Sequence, residues 1–177
     1  MATTFDSAQY LGRLAETMGL GPLSVSDRLL DDHHRRLLSC LIRCSEAANR
    51  WDAAPETIVM QLEEYLDAER QHFMEEEALL RESGYVAVDT HAEDHGALAK
   101  RGRLLVAAVE RGDMSAEAAV LGLASNFVDH VLRDDLLFKS HLEFRGQMPR
   151  FRGVERSLRR GAAGGMRASR PTLEGKP

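Results

Sequence analysis

The chain has 177 residues, 44% of them apolar and 29% charged, which predicts one globular domain that needs no disulfide framework. No stretch approaches the roughly 18 uncharged apolar residues of a membrane-spanning helix, and the N-terminus lacks the pattern of a secretory signal. The net charge is −5, yet residues 145–177 hold nine basic and two acidic side chains, and the acidic body argues against nucleic-acid binding.

The predicted elements are all helices. Residues 1–22 form an amphipathic N-terminal arm, and four long segments then repeat an apolar residue every three or four positions. These segments predict helices near 26–49, 56–83, 88–111 and 115–143. Their short connections predict an all-α, up-down-up-down antiparallel four-helix bundle over residues 23–145. Residues suited to begin the helices stand at each boundary: Ser24 or Ser26, Pro55, Asp89 or Thr90, and Ser115.

The remaining segment, residues 146–177, is predicted to be a basic, flexible tail. Its arginines suit a protein partner or an anionic surface, whereas the bundle itself is expected to bind no nucleic acid. Two cysteines, Cys40 and Cys44, are too few for a disulfide framework and are interpreted as packing residues. We therefore expect a cytoplasmic protein.

Each of the four predicted helices carries at least one histidine that could bind a metal. On the second helix His72 precedes Glu76 by four residues, and on the third helix His91 precedes His95 by four. Side chains four apart lie on one face of a helix, so each pair can bind one metal centre from the same side. The first helix adds His34 and the fourth adds His130, which is followed by Asp134 and Asp135. Helical spacing alone favours Asp134, four residues after His130, whereas Asp135 lies within the apolar stripe.

These polar residues lie on apolar helix faces, where burial is costly unless a metal compensates. Five histidines with two or more carboxylates exceed the four ligands of zinc and suit two ions that share bridging carboxylates. Mixed imidazole and carboxylate ligands favour iron or manganese. Two further histidines, His33 and His141, are interpreted as ordinary polar residues. Three methionines are predicted to fill the core: Met18, Met60 and Met74.

The order and spacing of these motifs resemble those of the bacterial hemerythrins. The resemblance covers about residues 20–145 and is carried by SVSDRLLDDHHRRL, YLDAERQHFMEEEALL, GYVAVDTHAEDH and FVDHVLRDD. The first motif has Ser26 where the family has glycine. The resemblance implies a non-haem site with two Fe ions joined by an oxo or hydroxo bridge. The ligands that it implies are His91, His95 and His130 on one iron, His34 and His72 on the other, and Glu76 and Asp135 as bridges.

The same resemblance implies a pocket for dioxygen, formed by Leu37, Phe73, Asn126, Phe127 and Val131. Asn126 stands where the family usually has tryptophan, and Trp51 lies elsewhere in the sequence. The expected function is reversible dioxygen binding for carriage, storage or delivery, without enzymatic activity. Two alternatives remain open: a di-iron enzyme that reduces peroxide or nitric oxide, and a sensor of dioxygen or redox state that acts through a separate partner.

Overall fold

The computed structural model describes residues 7–18, 20–50 and 54–147, and over these residues the chain is helical with no strand. The all-α prediction is confirmed. The helices are α1 Ser7–Thr17, α2 Arg28–Ala48, α3 Pro55–Ser83, α4 Val88–Glu110, α5 Ala116–His130 and α6 Leu136–Gln147. A 3₁₀ turn at Gly21–Leu23 precedes α2, and a π-helical turn at Val131–Asp135 joins α5 to α6. Trp51 and nearly all of the predicted tail lie outside the described residues.

The four long helices form a helical bundle. Helix α2 packs against α3 and α5, and α4 packs against α3 and α5. The up-down-up-down direction of these helices stays a prediction, based on their short connections. Among the described helices, none is both long enough and apolar enough to cross a membrane.

A buried polar layer separates two apolar clusters along the bundle. The larger cluster includes Leu41, Tyr65 and Phe127, and the smaller one includes Leu30 and Phe138. On α2 the smaller cluster precedes His34 in the sequence and the larger one follows it. Burial of these apolar side chains stabilises the bundle, at about 25 cal/mol per Å² of apolar surface.

The N-terminal segment is a packed helix and extends the core. Leu11 and Met18 are fully buried in the larger cluster, and α1 contacts α2 and α5. The prediction that Met60 and Met74 fill the core is wrong, because these side chains are 56% and 63% exposed. Both face solvent on α3, whose exposed side carries apolar residues as well as charged ones.

Asp27 begins α2, and neither of the two serines predicted for that position does so. Its side chain accepts hydrogen bonds from two backbone N–H groups of the first turn. Ser24 instead donates to Asp31 over 2.6 Å. Ser26 has a φ of 65° and donates to Glu143 over 2.7 Å. This left-handed conformation explains the glycine that the resemblance expects at this position.

The residues predicted to begin α3 and α5 agree with the structure, and those predicted to begin α4 do not. Pro55 occupies the first turn of α3, where its missing N–H removes no helical hydrogen bond. Ser115 caps α5 through its side chain. The predicted caps Asp89 and Thr90 are wrong, since both lie inside α4, which begins after Ala87 without a side-chain cap.

Candidate metal centre

The seven predicted ligands lie together in the polar layer, and each is at most 5% exposed. They form two overlapping groups, in each of which the potential ligand atoms lie within 4.8 Å of one another. The first group is Glu76, His91, His95, His130 and Asp135, and the second is His34, His72, Glu76 and Asp135. The two groups therefore share both carboxylates.

In the first group, the imidazoles of three histidines lie close to the shared carboxylates. Each carboxylate presents one of its two oxygens to this group. Glu76 Oε1 lies 2.6 Å from His91 Nε2 and 3.3 Å from His95 Nε2. Asp135 Oδ1 lies 2.9 Å from His130 Nε2. The Nε2 atoms of His95 and His130 are 3.0 Å apart. Nitrogen atoms from α4 and α5 thus surround the same small volume as the two carboxylates.

The second group uses the other oxygen of each carboxylate. His72 Nε2 lies 3.6 Å from Glu76 Oε2, and His34 Nε2 lies 3.3 Å from Asp135 Oδ2. The rings of His34 and His72 meet edge to face, with their centroids 4.8 Å apart. Each carboxylate therefore directs one oxygen to each group, which is the arrangement required of a bridging ligand.

Several atoms of this layer are buried without a hydrogen bond. Among the described residues, none is aligned to form a hydrogen bond with His34 Nε2, His72 Nε2, Glu76 Oε2 or either carboxylate oxygen of Asp135. Buried polar groups without partners are costly, and metal cations bound in the two groups would satisfy these atoms. The residues therefore fit metal binding through mixed nitrogen and oxygen ligands.

The fold and this site agree with one known family. The family model for the hemerythrin HHE cation binding domain matches residues 25–142. The chain belongs to the hemerythrin family. Neither the curated proteins nor the solved structures gave a match.

The π-helical turn places the last carboxylate of this hemerythrin-like site. The predicted continuous helix over 115–143 is interrupted at Val131–Asp135, where the backbone makes the wider i→i+5 turn. The wider turn takes up an extra residue, so Asp135 returns to the face of His130, with its Oδ1 2.9 Å from His130 Nε2. Asp134, which α-helical spacing favours, instead lies 3.2 Å from His130 Nδ1, on the outer side of the ring.

Two carboxylates outside the predicted set orient histidines of the first group. Glu77 Oε1 lies 3.1 Å from His95 Nδ1, and Asp134 plays the same part at His130. A carboxylate on Nδ1 fixes that ring with Nε2 facing the centre. The signal for both was present in the sequence, because each of these residues is the acidic neighbour of a shared carboxylate. Among the described residues, His34 and His72 have no such partner at Nδ1.

The protonation of the layer follows from burial and close charges. Burial and the charge of Asp135 act to raise the pKa of Glu76, but contacts with His91 and His95 lower it to about 2. Burial lowers the pKa of His72 to about 3. Burial also acts to lower the pKa of His130, but the adjacent Asp135 carboxylate raises it to about 9. Glu76 and His72 are thus in the forms that bind metals at neutral pH, whereas His130 must first release its proton.

Apolar side chains from the predicted pocket surround the polar layer. Phe73 stacks on His95 with ring centroids 3.9 Å apart, and Phe127 meets His34 edge to face at 5.6 Å. Two more members of the predicted set, Leu37 and Val131, are buried.

Asn126 is half-buried and lies in a different environment from the other four pocket residues. It lines a polar surface hollow of about 470 Å³. The other residues of this hollow include Arg101, Asp129, Arg133 and His130, which belongs to the polar layer. The side of the site where the resemblance expects tryptophan therefore has a polar surface.

The residues interpreted as ordinary lie outside both groups. His33 is 3.6 Å from Glu75, and His141 is hydrogen-bonded to Ser83 over 3.0 Å. Cys40 and Cys44 are free and buried. Burial and the neighbouring Cys40 raise the pKa of Cys44 to about 11, so this thiol stays protonated at neutral pH.

Proposed function

We propose that the chain is a non-haem di-iron protein that binds dioxygen reversibly, for carriage, storage or delivery. The observation that carries this proposal is that the two oxygens of each shared carboxylate face different histidine groups. Glu76 and Asp135 each direct one oxygen to the three-histidine group and the other to the two-histidine group. Membership of the hemerythrin family supports the same assignment.

The unequal number of histidines supports a ligand-binding role. With the shared carboxylates, one group offers five donors and the other offers four, which leaves more room for a small ligand beside His34 and His72. Iron commonly takes six ligands in mixed imidazole and carboxylate sites, and manganese is the closest alternative. When bound, an iron pair supplies the two electrons with which dioxygen is held as a reversible ligand.

The surrounding residues of this chain contribute orientation and exclusion of water. Glu77 and Asp134 hold the rings of His95 and His130 with Nε2 inward. Phe73 and Phe127 cover the rings from the apolar side, which limits the access of water and protons to the centre. The two free thiols fit a reducing compartment, and we propose the cytoplasm.

A di-iron enzyme that reduces peroxide or nitric oxide is the second candidate. The polar hollow at Asn126 favours it, because polar reactants and protons reach His130 more easily there than across an aromatic wall. Against it, the site is richer in histidine than the Glu-rich ExxH sites of ferritin-like di-iron enzymes. A sensor that acts through a separate partner is the third candidate, and the basic tail proposed to contact that partner lies almost entirely outside the described residues.

The test is iron content followed by optical spectroscopy. The protein is loaded with ferrous iron without air, and its visible spectrum is recorded through cycles of air and argon. Two irons per chain, with a band that appears in air and disappears under argon, would support reversible binding. Two irons that oxidise once and never return would favour the enzyme or the sensor. His72→Ala should lose iron, whereas the control His33→Ala, on the neighbouring face of α2, should keep both ions.

A further inference from the structure

A buried hydrogen-bonded pair, Tyr65 and Glu69, lies beside the ligand layer on α3 and belongs to neither donor group. Tyr65 Oη donates to Glu69 Oε1 over 2.8 Å, and the two residues are 0% and 3% exposed. Tyr65 precedes His72 by seven residues, which is two helical turns on the same face, or roughly 10 Å along the axis. Glu69 lies between Tyr65 and His72.

Stability does not explain a carboxyl group at this place. Burial raises the pKa of Glu69, although Tyr65 and the charges of His130 and His95 act in the opposite direction. Arg103, whose charge also acts to lower this pKa, is solvent-exposed. Buried polar pairs are often no more stabilising than apolar residues of the same shape. The pair is therefore a candidate for chemistry that requires a phenol and a proton acceptor.

Helix α4 closes the surroundings of this pair. A Cβ atom at Gly102 would lie 2.8 Å from Leu66 Cδ2 and 3.7 Å from Glu69 Oε2. The α4 backbone thus approaches α3 closely at Leu66 and packs beside Glu69, which helps keep water from the hydrogen bond. In such surroundings a proton released by Tyr65 has Glu69 as its direct acceptor.

We propose that Tyr65 is a one-electron donor to the metal pair and that Glu69 accepts its phenolic proton. This inference rests on the proposed di-iron centre. The co-reactant is hydrogen peroxide, and the relevant state of the protein is the half-oxidised one, with one ferrous and one ferric iron. In that state the metal pair holds one electron, whereas reduction of peroxide to two water molecules takes two.

Tyr65 provides the missing electron. The ferrous iron gives one electron and becomes ferric, and the Tyr65 phenol gives the other and becomes a neutral tyrosyl radical. The phenolic proton moves to the Glu69 carboxylate. Two protons from solvent and two electrons convert one peroxide into two waters. Without Tyr65 the single ferrous electron would split peroxide into hydroxide and a hydroxyl radical, so the pair protects the chain from that damage.

The test is electron paramagnetic resonance of the full chain. Protein with a measured iron content is brought to the half-oxidised state, mixed with one equivalent of hydrogen peroxide and frozen. We expect an organic radical signal that narrows when the chain carries ring-deuterated tyrosine. Tyr65→Phe should abolish this signal, and Glu69→Gln should lower its yield because the proton acceptor is gone. The control Tyr85→Phe should leave the signal unchanged. Tyr85 packs on Phe138 in the smaller apolar cluster, on the opposite side of the polar layer from Tyr65.

Tyr65→Phe leaves Glu69 buried without its hydrogen-bond donor, which can prevent folding. A second variant keeps the test valid in that case. The double variant Tyr65→Phe with Glu69→Leu removes both polar groups and should retain the fold and the iron. It should give no tyrosyl signal and more hydroxyl-radical damage, measured by mass spectrometry of its peptides.

The possible failures are distinguishable. A wild-type chain that holds fewer than two irons would refute the proposed centre and this inference with it. Two irons with no radical in the wild type would overturn only the role of Tyr65, as would an equal signal in Tyr65→Phe.

Discussion

Replacing Asp134 and Asp135 by asparagine, one at a time, separates the two carboxylates that follow His130. Asp135 offers an oxygen to each donor group, so Asp135→Asn should lose at least one of the two ions. Asp134 instead contacts the outer nitrogen of His130. Its removal should therefore leave both ions bound, but more weakly.

The magnitude for Asp134 follows from its contact and exposure. Loss of a carboxylate that orients a ligand histidine lowers metal affinity about 10–100-fold, which is about 1.4–2.7 kcal/mol. The contact is 3.2 Å long and the Asp134 side chain is 35% exposed, so solvent weakens it. We therefore expect the lower end, about tenfold, for Asp134→Asn.

The assay is iron retained per chain after dialysis against increasing concentrations of a chelator, with helical content checked by circular dichroism. The half-loss concentration should shift about tenfold for Asp134→Asn, whereas Asp135→Asn should start with less iron. If Asp134→Asn lost both ions while Asp135→Asn kept them, the assignment by the π-helical turn would be refuted.

Three further predictions concern the core and the pocket. Phe127→Ala removes a side chain that is 2% exposed and should lower the free energy of unfolding by about 3–5 kcal/mol in urea titrations; a loss below about 1 kcal/mol would show that the site collapses freely. Cys44, with a pKa of about 11, should be roughly 0.1% thiolate at pH 8 and resist iodoacetamide in the native state; rapid alkylation seen by mass spectrometry would contradict its burial. Asn126→Trp should slow oxidation of the reduced centre in air, followed by visible absorbance, and an unchanged rate would place Asn126 outside the pocket wall.

The helices and the grouping of ligands were predictable because both depend on helical periodicity. Predicted helix 56–83 differs from α3 by one residue, and predicted helix 88–111 differs from α4 by one. The spacing of four in His72–Glu76 and His91–His95 needs only an ordinary α-helix to place each pair on one face. The structure brings these residues together across the bundle.

The parts that depend on departures from regular helix were not predictable from the residues alone. The π-helical turn adds one residue to one turn, which apolar periodicity does not register. Helical spacing therefore favoured Asp134, whereas the apolar stripe and the resemblance favoured Asp135. The positive φ of Ser26 and the outward position of Met60 also depend on local backbone and packing. The orienting carboxylate Glu77 was overlooked because charged residues surround it in the sequence.

The most direct test of the central claim is a crystal structure of the iron-loaded protein with anomalous scattering at the iron edge. The account predicts two peaks, about 3.5–4 Å apart as in other two-metal sites, and each of them should contact both Glu76 and Asp135. A single peak, or iron bound by only one of these carboxylates, would contradict a bridged pair.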